Sequence, residues 1–321
     1  MKIAEAGLGA SQAALLRTGG VTQAHSVPAS MNITSETVGI VGAGRMAQAL
    51  GRLLREHGDV PVVIASRSKK SAETAAAWIG AAPVSLEEIT KQAKRLLVAV
   101  SDDGLPEVAS KLTGLGLQGA TVLHTCGSQG PETLSELSKA GNSVGVLHPL
   151  QTIPTAVEGV AALPGSAFAV AGDAEAVSWA EELVELLDGK CLRIESRRWP
   201  LYHAAAVMAC NYQATLVDAA LELLEQAGLS RTAALSAIAP LVRATTANVL
   251  RLGPDLALTG PIQRGDSATV RAHMAALRTA RQKTAGLYSS AGLRTLEIAQ
   301  RRGLSEEKAE ALAQSLQMFT C

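Results

Sequence analysis

The sequence predicts an α/β fold class: an N-terminal domain with a doubly wound, mostly parallel sheet, followed by an all-α C-terminal domain. Three observations predict it. Short β-branched runs alternate with helical segments from residue 37 to about residue 195. A glycine-rich turn joins the first such run to the first helix. After Trp199-Pro200 strand signals vanish and long helical patterns take over. Alternation of this kind implies βαβ units with right-handed crossovers.

Residues 37–41 are a β-branched run and read as a buried strand. Gly42-Ala43-Gly44-Arg45-Met46-Ala47 follows in the pattern G-x-G-x-x-A, and a helix over 46–56 comes next. Each small residue has a physical reason: Gly42 for the tight turn, Gly44 for backbone approach to a pyrophosphate, Ala47 for close packing of helix on sheet. The helix N-terminus then faces the anion. This is the Rossmann fingerprint, and it predicts a dinucleotide cofactor.

The second strand, over 62–65, ends where an NAD site carries an acid for the ribose 2′-hydroxyl. Ser66-Arg67-Ser68 stands there instead. A guanidinium and two hydroxyls suit a 2′-phosphate, so the expected cofactor is NADP(H). Further strands are expected at 96–100, 121–124, 144–147, 168–171 and 192–194, with helices at 71–79, 86–94, 106–112, 131–140 and 174–187. Ligands of such sheets sit beyond the carboxyl ends of the strands. Polar residues collect there: Ser101-Asp102-Asp103, then His124 to Ser128, then His148 to Thr152. Val100, Ser101 and Thr125 therefore join the turn and the Ser66–Ser68 segment as candidate cofactor contacts. Asp102 and Asp103 are adjacent, face opposite sides in extended backbone, and read as loop residues without a catalytic role.

The helical half begins with one expected helix over 202–227, closed by Gly228. Ser230 starts the next, which runs to Leu252 before Gly253-Pro254, with Pro240 expected to kink or break it. Asp266 is an expected N-cap for a helix over 268–278. Helices over 280–302 and 305–318 complete the chain. Domain boundaries are expected at 36/37 and 196/197. Residues 1–36 carry no sustained period, and Glu5, Gly7, Gly9 and Ser11 interrupt any apolar leader. Two readings of that segment stand: Met31 as the biological start, or a genuine N-terminal arm.

Composition narrows the function. The chain has 29 basic and 29 acidic residues, so no net field draws nucleic acid or an anionic membrane. Aromatics are 2% of a 321-residue chain, so the core must be aliphatic. No uninterrupted apolar run approaches the roughly 18–20 residues of a bilayer span. Cys126, Cys191, Cys210 and Cys321 show no C-x-x-C spacing, so no metal site is expected. Reduced thiols fit a cytoplasmic location.

The motifs resemble a family. His124-Thr125-Cys126-Gly127-Ser128, Gly145 to Thr152, Tyr202-His203-Ala204-Ala205 through Asn211-Tyr212, and Leu258 to Asp266 are similar to a bacterial group with a Rossmann-like domain and a C-terminal domain of unknown function. The group sits in the superfamily of 6-phosphogluconate dehydrogenase and pyrroline-5-carboxylate reductase. The resemblance implies a homodimer through the helical domain and a small-residue loop that holds a substrate carboxylate, here Thr259 with Arg264. Two departures matter. Hydroxy-acid dehydrogenases of the superfamily use Lys-x-x-x-Asn on the first helix of the second domain, and residues 202–228 contain no lysine. Similar sequences usually carry serine where this chain has Cys126.

The expected catalytic residues are His148, His203 and Asn211. An imidazole at a strand end can donate a proton or orient a carbonyl; the structural alternative is a histidine that fixes its loop. In one continuous helix His203 and Asn211 would lie about 80° and about 12 Å apart, too far to share one atom. Asn211, if buried among apolar neighbours, would need a polar partner. Gln151, Thr259 and Arg264 are the candidate substrate contacts. The expected function is NADPH-dependent reduction of a small carboxylate-bearing C=N or C=O compound in an interdomain cleft. The competing expectation is an NADP(H)-binding sensor without turnover, which would need no proton donor.

Overall fold

Four-residue β-branched runs buried on both faces make the centre of the sheet. The structure, a computed structural model, describes residues 36–278 and 282–317. Strands β1 (Val38–Val41), β2 (Val62–Ala65), β3 (Ala82–Pro83), β4 (Arg95–Val98), β5 (Thr121–His124), β6 (Ser143–Pro149), β7 (Ala167–Gly172) and β8 (Lys190–Arg193) form one sheet in the order β3-β2-β1-β4-β5-β6-β7-β8. The first six run parallel, with Ile40 beside Ile64 on one side and beside Leu97 on the other. β3 has only two residues, both exposed, and so left no apolar signal in the sequence.

Helices cover both faces. α1 (Arg45–Gly58), α2 (Lys69–Ile79), α6 (Ala156–Ala162) and α7 (Ala174–Leu186) pack with Ile40, Ile64, Leu123 and Phe168 on one face. α3 (Leu86–Gln92), α4 (Leu105–Gly114) and α5 (Ser135–Lys139) pack with Val41, Val63, Leu96 and Val122 on the other. Ile40 and Val41 point to opposite layers because side chains alternate along a strand. Gly51 sets the closeness of α1: a Cβ there would stand 2.9 Å from Ile79 and 3.0 Å from Ile40.

The sheet reverses at its far side, where β7 runs antiparallel to β6 and β8 parallel to β7. The connecting segment carries a single short helix, α6, of seven residues. The sequence reading missed α6, because Pro149 and Pro154 masked the short helical pattern.

The chain divides into two compact units after Pro200. The second unit is helical: α8 (Trp199–Ala209), α9 (Asn211–Gln226), α10 (Arg231–Ala257), α11 (Pro261–Arg264), α12 (Ser267–Leu277), α13 (Gln282–Arg301) and α14 (Glu306–Leu316). Its core is Val270, Met274 and Leu277 of α12 against Ala285 and Leu296 of α13 and Ala309, Leu312 and Leu316 of α14. Asp266 caps α12 as expected, its carboxylate accepting from Thr269 N–H at 3.0 Å.

Two expectations need correction. The helix expected over 202–227 is two helices, divided at Cys210 (φ −110°, ψ −68°). In the following turn Thr215 Oγ1 donates to the Asn211 carbonyl at 3.3 Å, a back-bond that tends to bend helices. Helical dihedrals run through Pro240, and the break falls at Gly253 (φ 77°, ψ 159°), a conformation that costs glycine least. One stretch, Arg231–Arg264, is long and apolar enough to cross a membrane by length and composition. Alanines raise its mean hydropathy although Ser236, Arg243, Thr246 and Asn248 interrupt every apolar run. The alternative starts of the chain, at Met1 or Met31, lie outside the described residues.

Candidate functional site

The turn after β1 is built as its spacing implies. Gly42 N–H donates to the Ala65 carbonyl at 2.8 Å. Its φ of +123° and the Ala99 carbonyl beside its missing Cβ exclude any side chain. Gly44 is different. It is the N-cap of α1 with φ −76° and ψ 179°, which any residue adopts. Nothing lies within 4 Å of where its Cβ would be. The fold itself therefore gives no reason for glycine there, and the space belongs to a cavity. Gln48 Nε2 donates to the Ala43 carbonyl at 2.9 Å and closes the turn from the helix side. The first N–H groups of α1 have no intrahelical acceptor.

A cavity of about 600 Å³ opens over this turn. Gly42, Ala43, Gly44, Arg45 and Met46 line it at the end of β1, Ser66, Arg67, Ser68 and Ser71 at the end of β2, and Val100 and Ser101 after β4. Gln151 and Ile153 line it from the segment after β6. Arg45 reaches that segment, donating from Nη1 to the Pro154 carbonyl at 2.9 Å. Ser68 also caps α2, its oxygen accepting from Ser71 N–H at 3.3 Å; its own proton is left to donate. α4 contributes Glu107, Val108 and Lys111, which the sequence reading missed. The usable signal was a Glu–Lys pair four residues apart on the helix that starts at the same sheet edge.

Thr125, expected at this cavity, lies outside it. Its side chain is buried and its N–H donates to the Val98 carbonyl at 3.1 Å, continuing the ladder of β5 on β4. It belongs to a second polar cluster, the 124–130 loop. His124 is fully buried. Its Nδ1 accepts from Cys126 N–H at 3.3 Å, so the ring proton sits on Nε2, which donates to the Gly130 carbonyl at 3.1 Å. Burial, chiefly, pushes its pKa down to about 4. The imidazole is a neutral brace.

Asp102 grips the same loop, its carboxylate accepting from the Ser128 hydroxyl and from Ser128 N–H at 3.3 Å. Trp199 Nε1 donates to the Gly127 carbonyl at 2.9 Å. Burial, first, and Asp102 push the Cys126 thiol up to about 12, and its Sγ donates to the Val100 carbonyl at 3.4 Å. Cys126 is thus an inert donor that ties the loop to Val100, two residues past β4. His148 lies against this brace: a Cβ on Gly127 would stand 2.6 Å from its Nε2. His148 is half-buried on β6 and does not line the cavity.

The remaining candidates belong to the helical unit. His203 is half-buried on α8. Asn211 is exposed at the start of α9, so the expectation of a buried amide seeking a partner does not hold. The break at Cys210 voids the angle expected between the two residues. Thr259 lines an apolar cavity of about 460 Å³ with Ile262, His273, Thr284 and Tyr288. His273 Nδ1 and the Tyr288 hydroxyl are hydrogen-bonded there at 2.9 Å. Arg264 is exposed at the end of α11 and does not line that cavity. The structure does not bring Thr259 and Arg264 together in it. Among the described residues no three His, Cys, Asp or Glu side chains group closely enough to hold a metal ion.

Fold and site together define a Rossmann-type protein with a helical C-terminal domain. Comparison with known proteins makes this specific. The chain matches the Rossmann-like domain over residues 22–149 and a domain of unknown function, DUF2520, over residues 166–295. Protein TM1727 from Thermotoga maritima is 23% identical, with 83% of this chain and 99% of that one covered at a TM-score of 0.67. A putative NADP oxidoreductase from Bacteroides fragilis is 21% identical, covers 87% and 99%, and has a TM-score of 0.62. A pyrroline carboxylate reductase from Plasmodium falciparum, solved with NADP bound, is 16% identical, covers 88% and 98%, and has a TM-score of 0.50. At these identities the similarity is one of fold.

Proposed function

We propose that the protein is an NADPH-dependent oxidoreductase that reduces a small carboxylate-bearing C=N or C=O substrate. The observation that carries this reading is Gly44: an unstrained glycine whose missing side chain leaves room over a helix N-terminus, in a cavity that also holds Arg67. A pyrophosphate fits that room, with α1 supplying N–H donors and a favourable dipole. Ser66, Arg67 and Ser68 suit a 2′-phosphate at the other end. NADPH, when bound, supplies the hydride. The chain supplies orientation and a proton, for which His148, half-buried on β6 against the 124–130 loop, is the candidate imidazole of the N-terminal unit. His203, Asn211, Thr259 and Arg264 are the helical domain's candidates for substrate contact, with Gln151 at the cavity itself. The names of the B. fragilis and P. falciparum proteins, a putative NADP oxidoreductase and a pyrroline carboxylate reductase, accord with this reading.

The test has two stages. Calorimetry with NADPH and NADH reads binding. NADPH oxidation is then followed over 2-keto acids, cyclic imines and semialdehydes, with and without amines. Failure to bind either dinucleotide refutes the reading. Tight NADPH binding without turnover on any substrate class moves the assignment to a non-catalytic NADP(H) sensor.

The helical unit supports a second copy of the chain as partner. Leu201, Met208, Leu241, Leu250 and Leu256 are 75%, 64%, 67%, 82% and 66% exposed, and all lie on α8 and α10. Single monomers seldom leave so many large apolar side chains in water. An isologous contact would cover the same patch on both copies.

A further inference from the structure

We propose that Glu107 and Lys111 of α4 set, together with Arg67, which dinucleotide the protein accepts. The inference rests on the cofactor reading above and extends it to residues outside the β2 end. In NAD sites the selecting acid stands at the end of the second strand; here that position is Ser66-Arg67-Ser68. An acid nonetheless lines the same cavity, delivered from α4. Glu107 shares the cavity with Arg67, which adds to Lys111 in holding the Glu107 carboxyl below its usual range. Left alone, that carboxylate would oppose a 2′-phosphate and would suit a ribose 2′-hydroxyl as an acceptor.

Lys111 removes the opposition. Its Nζ lies 2.6 Å from Glu107 Oε1, and both side chains are about half exposed at the cavity rim. One turn of helix separates them, which is the spacing at which a Glu followed by a Lys pairs best. The three side chains carry a net charge of +1, enough to favour a dianion. The pair therefore works as a balance: Lys111 masks an acid that would otherwise weaken the preference set by Arg67.

The experiment measures NADPH and NADH affinities by calorimetry for the full chain and for Lys111→Met, Glu107→Gln and the double variant, with melting curves to establish folding. Lys111→Met leaves the rim neutral and should weaken NADPH binding by about threefold to tenfold at low salt, with NADH within about twofold. Glu107→Gln should shift the preference further towards NADPH. The double variant should return close to the wild-type ratio, because its rim charge is again +1. A ratio of NADPH to NADH affinity unchanged in both single variants, with binding intact, overturns this inference alone. A wild-type chain that binds neither dinucleotide overturns the cofactor reading and this inference with it.

Discussion

Arg67 stands where the ribose of a bound dinucleotide would present its 2′ position, and it lines the cavity together with Ser66 and Ser68. NADPH should bind at least about tenfold tighter than NADH, equivalent to about 1.4 kcal/mol. Arg67→Ala should erase most of that difference; equal affinities in the wild type would show that the strand end does not read the phosphate. The imidazoles answer to a kinetic test. His148→Ala or His203→Ala should lower kcat/KM by ~10²-fold while NADPH affinity stays within about threefold, the pattern of a lost proton donor or orienting group. A histidine that only fixes its loop would lower the melting temperature and leave turnover per folded molecule intact. If both behave so, Asn211 and Thr125 become the residues to examine. Arg67 was legible because residue type at a motif position is itself the signal. Thr125 does not line the cavity because β5, whose end it follows, contributes no residue to it; which strand ends border a cavity is decided by sheet order, which no local pattern records.

At the scale of the element, the turn over residues 42–47 separates fold from function within three residues. Gly44→Ala should fold, with a stability loss of at most about 1 kcal/mol, the scale of an N-cap change. NADPH affinity should nevertheless fall by at least about tenfold, because the added methyl fills the space a pyrophosphate needs. Gly42→Ala should instead destabilise the domain by about 2 kcal/mol or more, from its positive φ and its collision with the Ala99 carbonyl. Equal losses of stability in both variants would remove the case for Gly44 as a cofactor position.

The 124–130 loop carries a pH dependence. His124 has a pKa near 4 when folded, against 6.5 for a free imidazole. The folded pKa is the lower one, so the unfolded chain binds the proton more readily. Stability is full above pH 6.5 and is lost as pH falls towards 4, by roughly 2–3 kcal/mol at pH 4.5. Urea titrations at pH 7 and 4.5 should show that loss in the wild type and a smaller one in His124→Asn. An identical pH slope in the two would mean that His124 is not the group responsible. The sequence marked this loop as polar and placed it on the right edge. That His124 braces it rather than serving the cavity follows from burial, which no local pattern records.

For the whole molecule, the open question is what covers the apolar side chains of α8 and α10. A homodimer through the helical unit is the expected state. Light scattering at micromolar concentration should give twice the mass of a 33.1 kDa chain, and Leu250→Glu should shift it towards the monomer without unfolding the N-terminal domain. A monomer mass in the wild type would leave the exposed leucines without an explanation in assembly.

The sequence by itself determined the class of fold, the position of the cofactor turn, the change to an all-helical half near Trp199 and the cap at Asp266. These are local matters: side-chain period, small residues at fixed spacing, and a carboxylate one turn before a free N–H. Only the tertiary structure decided that β7 runs backwards, that Glu107 and Lys111 share a cavity with Arg67, and that His124 is neutral and buried. Each depends on groups far apart in sequence meeting in space, and on how much water that meeting excludes. Neither quantity is written in any short stretch of chain.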